Sequence, residues 1–457
     1  MVRMGELLRD ARLRVGMLVC VCFTMAPMGY FAWFYNVVNL ADASTVDFYT
    51  LVLAYFVQAA GVCAYMAARH ALGKRAVLGT VYVSLVLFAL SLEPAALSGN
   101  ATVALVVGLV MNIPCGYLQG HYLTCVAELV PATWRGRVFA WGYAAATVAS
   151  WLIASYGGNL TSGVPGLATC LLLALLAAVC LHAVSRLENP VELAPSLELP
   201  SLRSLVLLVG AAVVVASLVK NTGFRSLATE FAGGSIEMSR LFYGVGLIMA
   251  GLVADRDRRL ALVCCAASLA VPFLQLALEG FEVSGFVLWS LDYFLQSFFI
   301  VWRVTVFADL ADSSGRIWLA GAGLAFGRIG DAVGTWLTEA LASSGVVLVA
   351  LAFALFVLSF ILLLLVSRRM YDTSAAGAVA NDEFDPLVEF CDSHDLSRRE
   401  QDVLYFLIDG RTNAETAKEL GVTEATVKFH VSNILKKTGC ASRNDVAKLY
   451  NKSLKER

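Results

Sequence analysis

From residue 15 to residue 366 the chain consists of long apolar runs separated by short polar breaks. Crossing the hydrocarbon core of a bilayer takes roughly 20 mostly apolar helical residues at about 1.5 Å rise each. Twelve runs meet that requirement: 15–40, 46–68, 76–98, 101–127, 138–157 and 164–185, then 204–220, 238–254, 260–280, 283–311, 317–345 and 346–366. They form two sets of six. Between the sets, 186–200 holds Pro190, Pro195 and Pro200, which cannot continue a helix. The connection after the seventh run, around 221–237, is poorly apolar. Beyond 366 the long runs stop, and shorter amphipathic segments follow.

Composition agrees with the pattern. Of 457 residues, 59% are hydrophobic and 15% charged, and the mean hydropathy is +0.72. A soluble domain is nearer half apolar and a quarter charged, and disordered, collagen-like or disulfide-scaffold chains carry far less Leu, Val, Ala and Phe. Most of the eleven cysteines lie inside apolar runs, with no C-x-x-C pair and no histidine cluster, so they read as small buried hydrophobes.

The basic residues then orient the runs. Lys and Arg favour cytoplasmic loops near helix ends. Arg3, Arg9, Arg12 and Arg14 precede the first run, and Arg69, Lys74 and Arg75 follow the second. Arg135 and Arg137, Arg186, Arg256, Arg258 and Arg259, Arg316, and Arg368 and Arg369 follow the even-numbered runs after that. Alternate loops carry acids: Asp42, Asp47, Glu93, Glu279 and Glu282. Only Lys220, Arg225 and Arg240 break the alternation. Both termini are therefore expected in the cytoplasm. The first run is too long for a cleaved signal peptide and lacks a small-residue cleavage site.

The two halves also repeat. Val126-Ala-Glu-Leu129 with Gly136-Arg-Val-Phe-Ala-Trp-Gly142 matches Phe307-Ala-Asp-Leu310 with Gly315-Arg-Ile-Trp-Leu-Ala-Gly321. Six-helix repeats of this kind build secondary transporters with a site at the midplane. With Gly251-Leu-Val-Ala-Asp255-Arg256-Asp-Arg258-Arg259, residues 15–366 resemble the major facilitator superfamily. Arg258 replaces that family's second glycine. The first-half counterpart keeps only Gly73-Lys74-Arg75, with His70 in place of the acid.

Ionisable groups in a bilayer are costly, so they serve function or pair with one another. Arg328 and Asp331, three apart, can neutralise each other. The resemblance implies a cavity lined by spans one, four, seven and ten. Its candidates are Tyr30, Trp33, Tyr35 and Asn36; Asn112, Gln119 and His121; Lys220 and Asn221; and Asp292, Tyr293, Gln296 and Arg303. Aromatic and amide groups with an arginine suit a small aromatic or anionic ligand. The alternative is a structural polar network joining the halves. Glu128 with Arg135 and Arg137, and Asp309 with Arg316, read as salt bridges of a cytoplasmic gate.

After Arg369 the composition changes. Residues 370–395 hold seven acids and no Lys or Arg, as an acidic linker whose 384–394 segment can form a short helix. As a coil it reaches on the order of 30 Å, and its charge repels both anionic lipid and DNA. Residues 396–457 carry twelve basic and eight acidic side chains. There Ser397-x-x-Glu400 is a capping box for a helix that stops at Gly410. Thr412-Asn413 caps a helix over 414–420, Gly421-Val422 turns, Thr423 caps a third over about 424–438, and Ser442-x-x-Asp445 opens a fourth. Two short helices joined by a glycine-containing turn form a helix-turn-helix, whose second helix enters the major groove.

The string Leu396-Ser-Arg-Arg-Glu400, Val403-Leu404, Gly410, Asn413, Glu415, Ala417, Leu420, Thr426-Val427-Lys428, His430, Ile434, Lys437, Arg443, Ala447 closely resembles the LuxR-type DNA-binding domain over roughly 394–452. Thr416 stands where that family usually has Ile, and Thr438-Gly439 where it has Leu-Gly or Met-x. Val427, Val431, Ile434 and Leu435 read as core. The resemblance puts base or phosphate contacts at Lys428, Phe429 and Ser432; Thr426, Asn433, Lys436 and Lys437 are candidates for backbone phosphates. Phe429 suits thymine methyl groups. Ser432 often corresponds to Lys in relatives. The fourth helix is the family's usual dimer contact.

The expected fold is all-α: a polytopic bundle of two six-helix repeats over 1–369 (halves about 15–185 and 204–366), the linker 370–395, and a four-helix LuxR-type domain over 396–457. The expected protein is a one-component transcription regulator of a bacterial cytoplasmic membrane. Its transporter-like body senses a small molecule, and its tail binds double-stranded promoter DNA, as a homodimer through the last helix. The alternative is a working transporter with a regulatory tail. No nucleophile elbow, P-loop, metal box or dinucleotide fingerprint points to an enzyme or a cofactor.

Overall fold

A computed structural model describes residues 10–187, 202–222, 236–271, 285–341, 343–372, 390–391, 393–394, 396–420 and 423–455. The proline-rich connector, most of the acidic linker, the end of the ninth run, the segment around Arg225 and the Gly421-Val422 turn lie outside these residues. The chain divides into two compact units, Met1–Ser367 and Arg368–Arg457. No strand occurs among the described residues.

Twelve helices of the first unit follow the twelve apolar runs in order: α1 Ala11–Val37, α2 Ala43–Ala71, α3 Lys74–Leu97, α4 Ala101–Leu129, α5 Arg135–Tyr156 and α6 Gly163–Ser185, then α7 Leu202–Thr222, α8 Ile236–Arg256, α9 Arg258–Ser268, α10 Gly285–Ser313, α11 Ala322–Ala340 and α12 Gly345–Ser367. Among the described residues, nine stretches are long and apolar enough to cross a membrane. Their outward faces are hydrocarbon: Leu90, Val164, Leu175 and Val346 are among the most exposed side chains. This is a multi-pass membrane protein. The fourth run departs from a straight rod. α4 breaks at Met111 because Pro114, lacking an N–H, cannot bond the preceding turn.

Packing repeats with a period of six helices. α1 packs on α5 and α6 as α7 packs on α11 and α12, and α2 packs on α4 as α8 packs on α10. The halves meet through α5 with α8 and α2 with α11. The α5–α8 crossing rests on Gly136 and Gly251. A Cβ on either would sit 2.9 Å from the other's carbonyl oxygen, so only glycine permits this approach.

The second unit holds α13 Arg398–Ile408, α14 Asn413–Leu420, α15 Glu424–Thr438 and α16 Arg443–Lys455. Its core gathers Leu396, Val403, Leu404, Leu407, Ala417, Val427, Ile434 and Val446. Phe390 and Cys391 belong to the same core, 4% and 0% exposed. The boundary expected at 396 is therefore too late. Phe390 packs edge-on to Tyr450 of α16, ring centroids 5.5 Å apart, and so closes the domain from the segment assigned to the linker.

Candidate functional site

Local hydrogen bonding sets the helices of the tail. At the start of α13 the Ser397 N–H donates to Glu400 Oε2 at 2.7 Å. Burial opposes ionisation of Glu400, but the Lys437 ammonium at 2.7 Å and the Ser397 N–H outweigh it and hold the carboxyl down at about 2. A second box opens α14, where the Thr412 N–H donates to Glu415 Oε2 at 2.8 Å and the Glu415 N–H to Thr412 Oγ1 at 3.3 Å. Thr423 Oγ1 accepts from the Thr426 N–H at 3.2 Å and starts α15. Gly439, at φ +70°, ends it in the left-handed region that favours glycine. Thr416 is buried, its hydroxyl satisfied by Thr412 O at 2.9 Å.

These caps fix the rotation of α15. Val427 and Ile434 are buried, and Val431 and Leu435 pack on the core. Glu424, Ala425, Lys428, Phe429, Ser432 and Lys436 form the opposite, open face. Phe429 is 63% exposed. Lys428 Nζ lies 3.0 Å from Glu424 Oε1 one turn back, both open to water. The outward stripe thus brings together Lys428, Phe429, Ser432 and Lys436. Asn433 is half-buried at its edge. Two candidates are otherwise engaged: the Thr426 hydroxyl lies 2.8 Å from Thr423 Oγ1 in the cap, and Lys437 is tied to buried Glu400. Lys437 is corrected from a phosphate ligand to a brace between α15 and α13.

In the membrane unit most first-half cavity candidates prove to be packing residues. Trp33 is wholly buried, its Nε1 donating to Ala104 O at 2.9 Å. Asn36 Nδ2 donates to Ala95 O and Ser98 O at 3.0 and 3.1 Å, tying α1 to the end of α3. Asn112 bonds Gly108 O at 3.0 Å beside the α4 break. His121 Nδ1 lies 3.2 Å from the Tyr65 hydroxyl. Tyr35 is exposed, and Tyr30 joins a ring cluster with Phe31, Trp33 and Phe34. Trp33, Asn36 and Asn112 are thereby withdrawn as ligand contacts, because their N–H donors are spent on backbone carbonyls. Gln119 stays buried, and its Oε1 has no partner among the described residues.

The second half differs. Gln296 Nε2 donates to Asp292 Oδ2 at 2.6 Å within α10. Arg303, eleven residues on, is about 16 Å away along the helix. Arg303 instead faces α11, where Gly327 leaves the space its guanidinium fills: a Cβ there would collide with Nη1. Asp331 of α11 takes Lys220 Nζ at 2.9 Å, Asn221 Nδ2 at 3.0 Å and Arg328 Nη1 at 3.4 Å. The expected Arg328–Asp331 neutralisation is present, joined by two residues of α7.

The gate pairs run differently from the expectation. Glu128 takes Arg69 and Lys74 at 3.5 and 3.2 Å. Arg135, 1% exposed, crosses between the halves to Asp309 at 3.1 Å and Asp312 at 2.6 Å, while Arg316 is exposed. Asp255 caps α5, accepting from the N–H groups of Gly136 and Arg137 at 2.7 and 2.9 Å. Arg258, in place of the motif's glycine, reaches Asp309 at 2.7 Å and Ala132 O at 2.8 Å. An acid needs no neighbour in sequence to find its base, so proximity along the chain misassigned these pairs. Among the described residues no cluster of metal-ligating side chains occurs.

Comparison with known proteins follows this division. Residues 394–450 match the family of bacterial regulatory proteins, luxR family. The response regulator protein TmoT of Ectopseudomonas mendocina is 48% identical over 54 residues, 12% of this chain and 24% of that protein. TodT of Pseudomonas putida is 46% identical over the same shares. The transcriptional activator protein EchR of Dickeya chrysanthemi is 42% identical over 12% of this chain and 22% of its own. The chain thus spans about a quarter of these relatives. A crystal structure of the human organic anion transporter MFSD10 superposes with a TM-score of 0.54 at 18% identity, covering 79% of this chain and all of that one. The tail is a LuxR-type helix-turn-helix domain, and the larger unit has the major facilitator fold.

Proposed function

We propose that this protein is a one-component transcription regulator. Its membrane unit senses a small molecule, and its tail binds promoter DNA. The observation that carries the reading is the open face of α15, where Lys428, Phe429, Ser432 and Lys436 stand outward on a domain of luxR type. Cations on that face bind phosphates and the ring meets base edges. Sensing needs only a ligand that distinguishes two states of the body, and rocking halves supply two states. The chain acts by binding rather than by chemistry. It resides in a bacterial cytoplasmic membrane with both termini inside, and it pairs on DNA through α16. Two half-sites about one helical turn apart follow from that pairing.

Promoter retention by the full chain in lipid nanodiscs tests this reading. Binding that survives Lys428→Ala undiminished removes α15 as the reading element, and a C-terminal tag accessible only from outside the cell removes the function altogether. The transporter-type fold of the body supports a second reading, active transport with a regulatory tail. Vesicle uptake of a labelled solute that persists after deletion of 373–457 would select it.

A further inference from the structure

In the middle of the membrane unit several buried donors stand without a partner among the described residues, as do the acceptors Asp292 Oδ1 of α10 and Gln119 Oε1 of α4. Arg303 is 4% exposed, and its Nε and Nη1 find no acceptor among the described residues. Arg328 Nε and the hydroxyl of Tyr122, 1% exposed, are in the same position. A buried charged donor without an acceptor costs several kcal/mol, so this arrangement is built for something that accepts. The one carboxylate at hand, Asp331, is already shared by Lys220, Asn221 and Arg328. Three cations therefore face one acid, and Asp292 lies about three turns further along α10.

The surroundings are aromatic. Phe23 stacks on Tyr143 with centroids 3.8 Å apart and touches Tyr122 at 5.3 Å. Tyr143 meets Tyr243 edge-on at 5.4 Å, and Tyr243 meets Tyr293 at 5.9 Å. Tyr122 and Tyr243 are both within electrostatic range of Arg303 and Arg328. These rings come from α1, α4, α5, α8 and α10, so both halves contribute to one aromatic cluster.

We propose that this centre binds an organic carboxylate with a flat apolar body, its charge held by Arg303 and its body among Tyr122, Tyr143 and Tyr243. This deepens the sensing reading and rests on it only for the consequence of binding, not for binding itself. Gly327 is part of the site, because it seats the Arg303 guanidinium of α10 against α11. A ligand gripping α10 and the first-half rings together favours whichever state brings the halves close at this level.

The test uses the full chain in phosphatidylcholine nanodiscs, with 2-naphthoate as probe and 2-naphthamide, acetate and inorganic phosphate as comparators. Quenching of intrinsic fluorescence should report saturable naphthoate binding, at least tenfold tighter than the neutral amide, acetate or phosphate. Arg303→Gln should weaken it roughly tenfold to a hundredfold, the effect of losing a charge-assisted pair. Gly327→Ala keeps every charge and should weaken it too, which serves if the glutamine variant proves misassembled by size-exclusion chromatography. Equal binding of naphthoate and naphthamide, or undiminished binding by either monodisperse variant, overturns the proposal. Naphthoate binding to the native protein without any change in promoter output would remove the sensing function and leave the anion site standing. A neutral compound that switches transcription while naphthoate fails to bind would do the reverse.

Discussion

In the tail the ion pairs Arg399–Asp402, Arg411–Asp409 and Lys428–Glu424 lie open to water, whereas in the membrane unit Arg135, Asp255 and Asp331 are 1% exposed. An exposed pair exchanges one set of hydrogen bonds for another and contributes ~0–1 kcal/mol. A buried one has given up its hydration, so removing one partner strands the other. The same residue types are thus free to change partners in one unit and committed in the other. Among the described residues of the tail the exception is Glu400–Lys437, which fastens α13 to α15. The body has the converse exception in Arg303, buried and yet uncommitted.

The largest effect should come from Arg135→Ala, which takes from Asp312 its base and leaves Asp309 to Arg258 alone. A loss of ~3–5 kcal/mol is expected for a buried pair broken on one side, read as a lower thermal midpoint of the detergent-solubilised protein. A midpoint unchanged would place this bridge in water. Next is Lys437→Ala, which should cost the tail ~1.5–3 kcal/mol through uncapped Glu400; chemical denaturation of the full chain followed by tail-specific fluorescence tests it. The same pair predicts a pH dependence. The Glu400 carboxyl titrates at about 2 in the folded tail, below its ordinary 4.5. Its contribution is complete above about 4.5 and drains away as pH falls toward 2. Glu400→Gln should remove that part of the acid transition.

Lys428→Ala should separate the two kinds of lysine most clearly. Promoter affinity is expected to fall about tenfold, ~1.4 kcal/mol, with the salt slope reduced by about one and the tail's midpoint unmoved. A fall in stability without loss of affinity would exchange the roles of Lys428 and Lys437. The smallest effect belongs to Glu424→Gln. It frees the Lys428 ammonium at ~0.5 kcal/mol or less in stability, and a slight gain in DNA affinity measured at low salt is its signature.

Features governed by neighbours in sequence were legible before any coordinates. Apolar runs of bilayer length mark α1 to α12 because lipid demands that each helix satisfy its own backbone. Ser397, Thr412, Thr423 and Ser442 mark the tail helices because capping is settled within four residues. What escaped were pairings over long separations. Arg135 and Asp312 are 177 residues apart, and nothing local distinguishes that partner from Glu128. Trp33 and Asn36 carry the polar atoms expected of a ligand site, but whether these face a cavity or a carbonyl depends on how α1 turns against α3 and α4. Phe390 sits among acidic neighbours that read as linker, although its ring edge against Tyr450 places it inside the domain. The Arg303 centre was half visible: the charge stands out in an apolar run, while its Gly327 seat and its tyrosines come from helices that only folding assembles.

Arg258 shares Asp309 with Arg135 while also holding Ala132 O. Parting the halves on that side therefore cannot proceed one bond at a time. Arg135 leaving Asp309 and Asp312, and Arg258 leaving Ala132 O, strand a buried guanidinium and its acids until both contacts are given up, so partial opening is the least favourable arrangement. On the proposed sensing function, the body should pass between two shapes as a snap rather than a slide, and intermediate ligand occupancy would then give a mixture of fully switched and unswitched molecules.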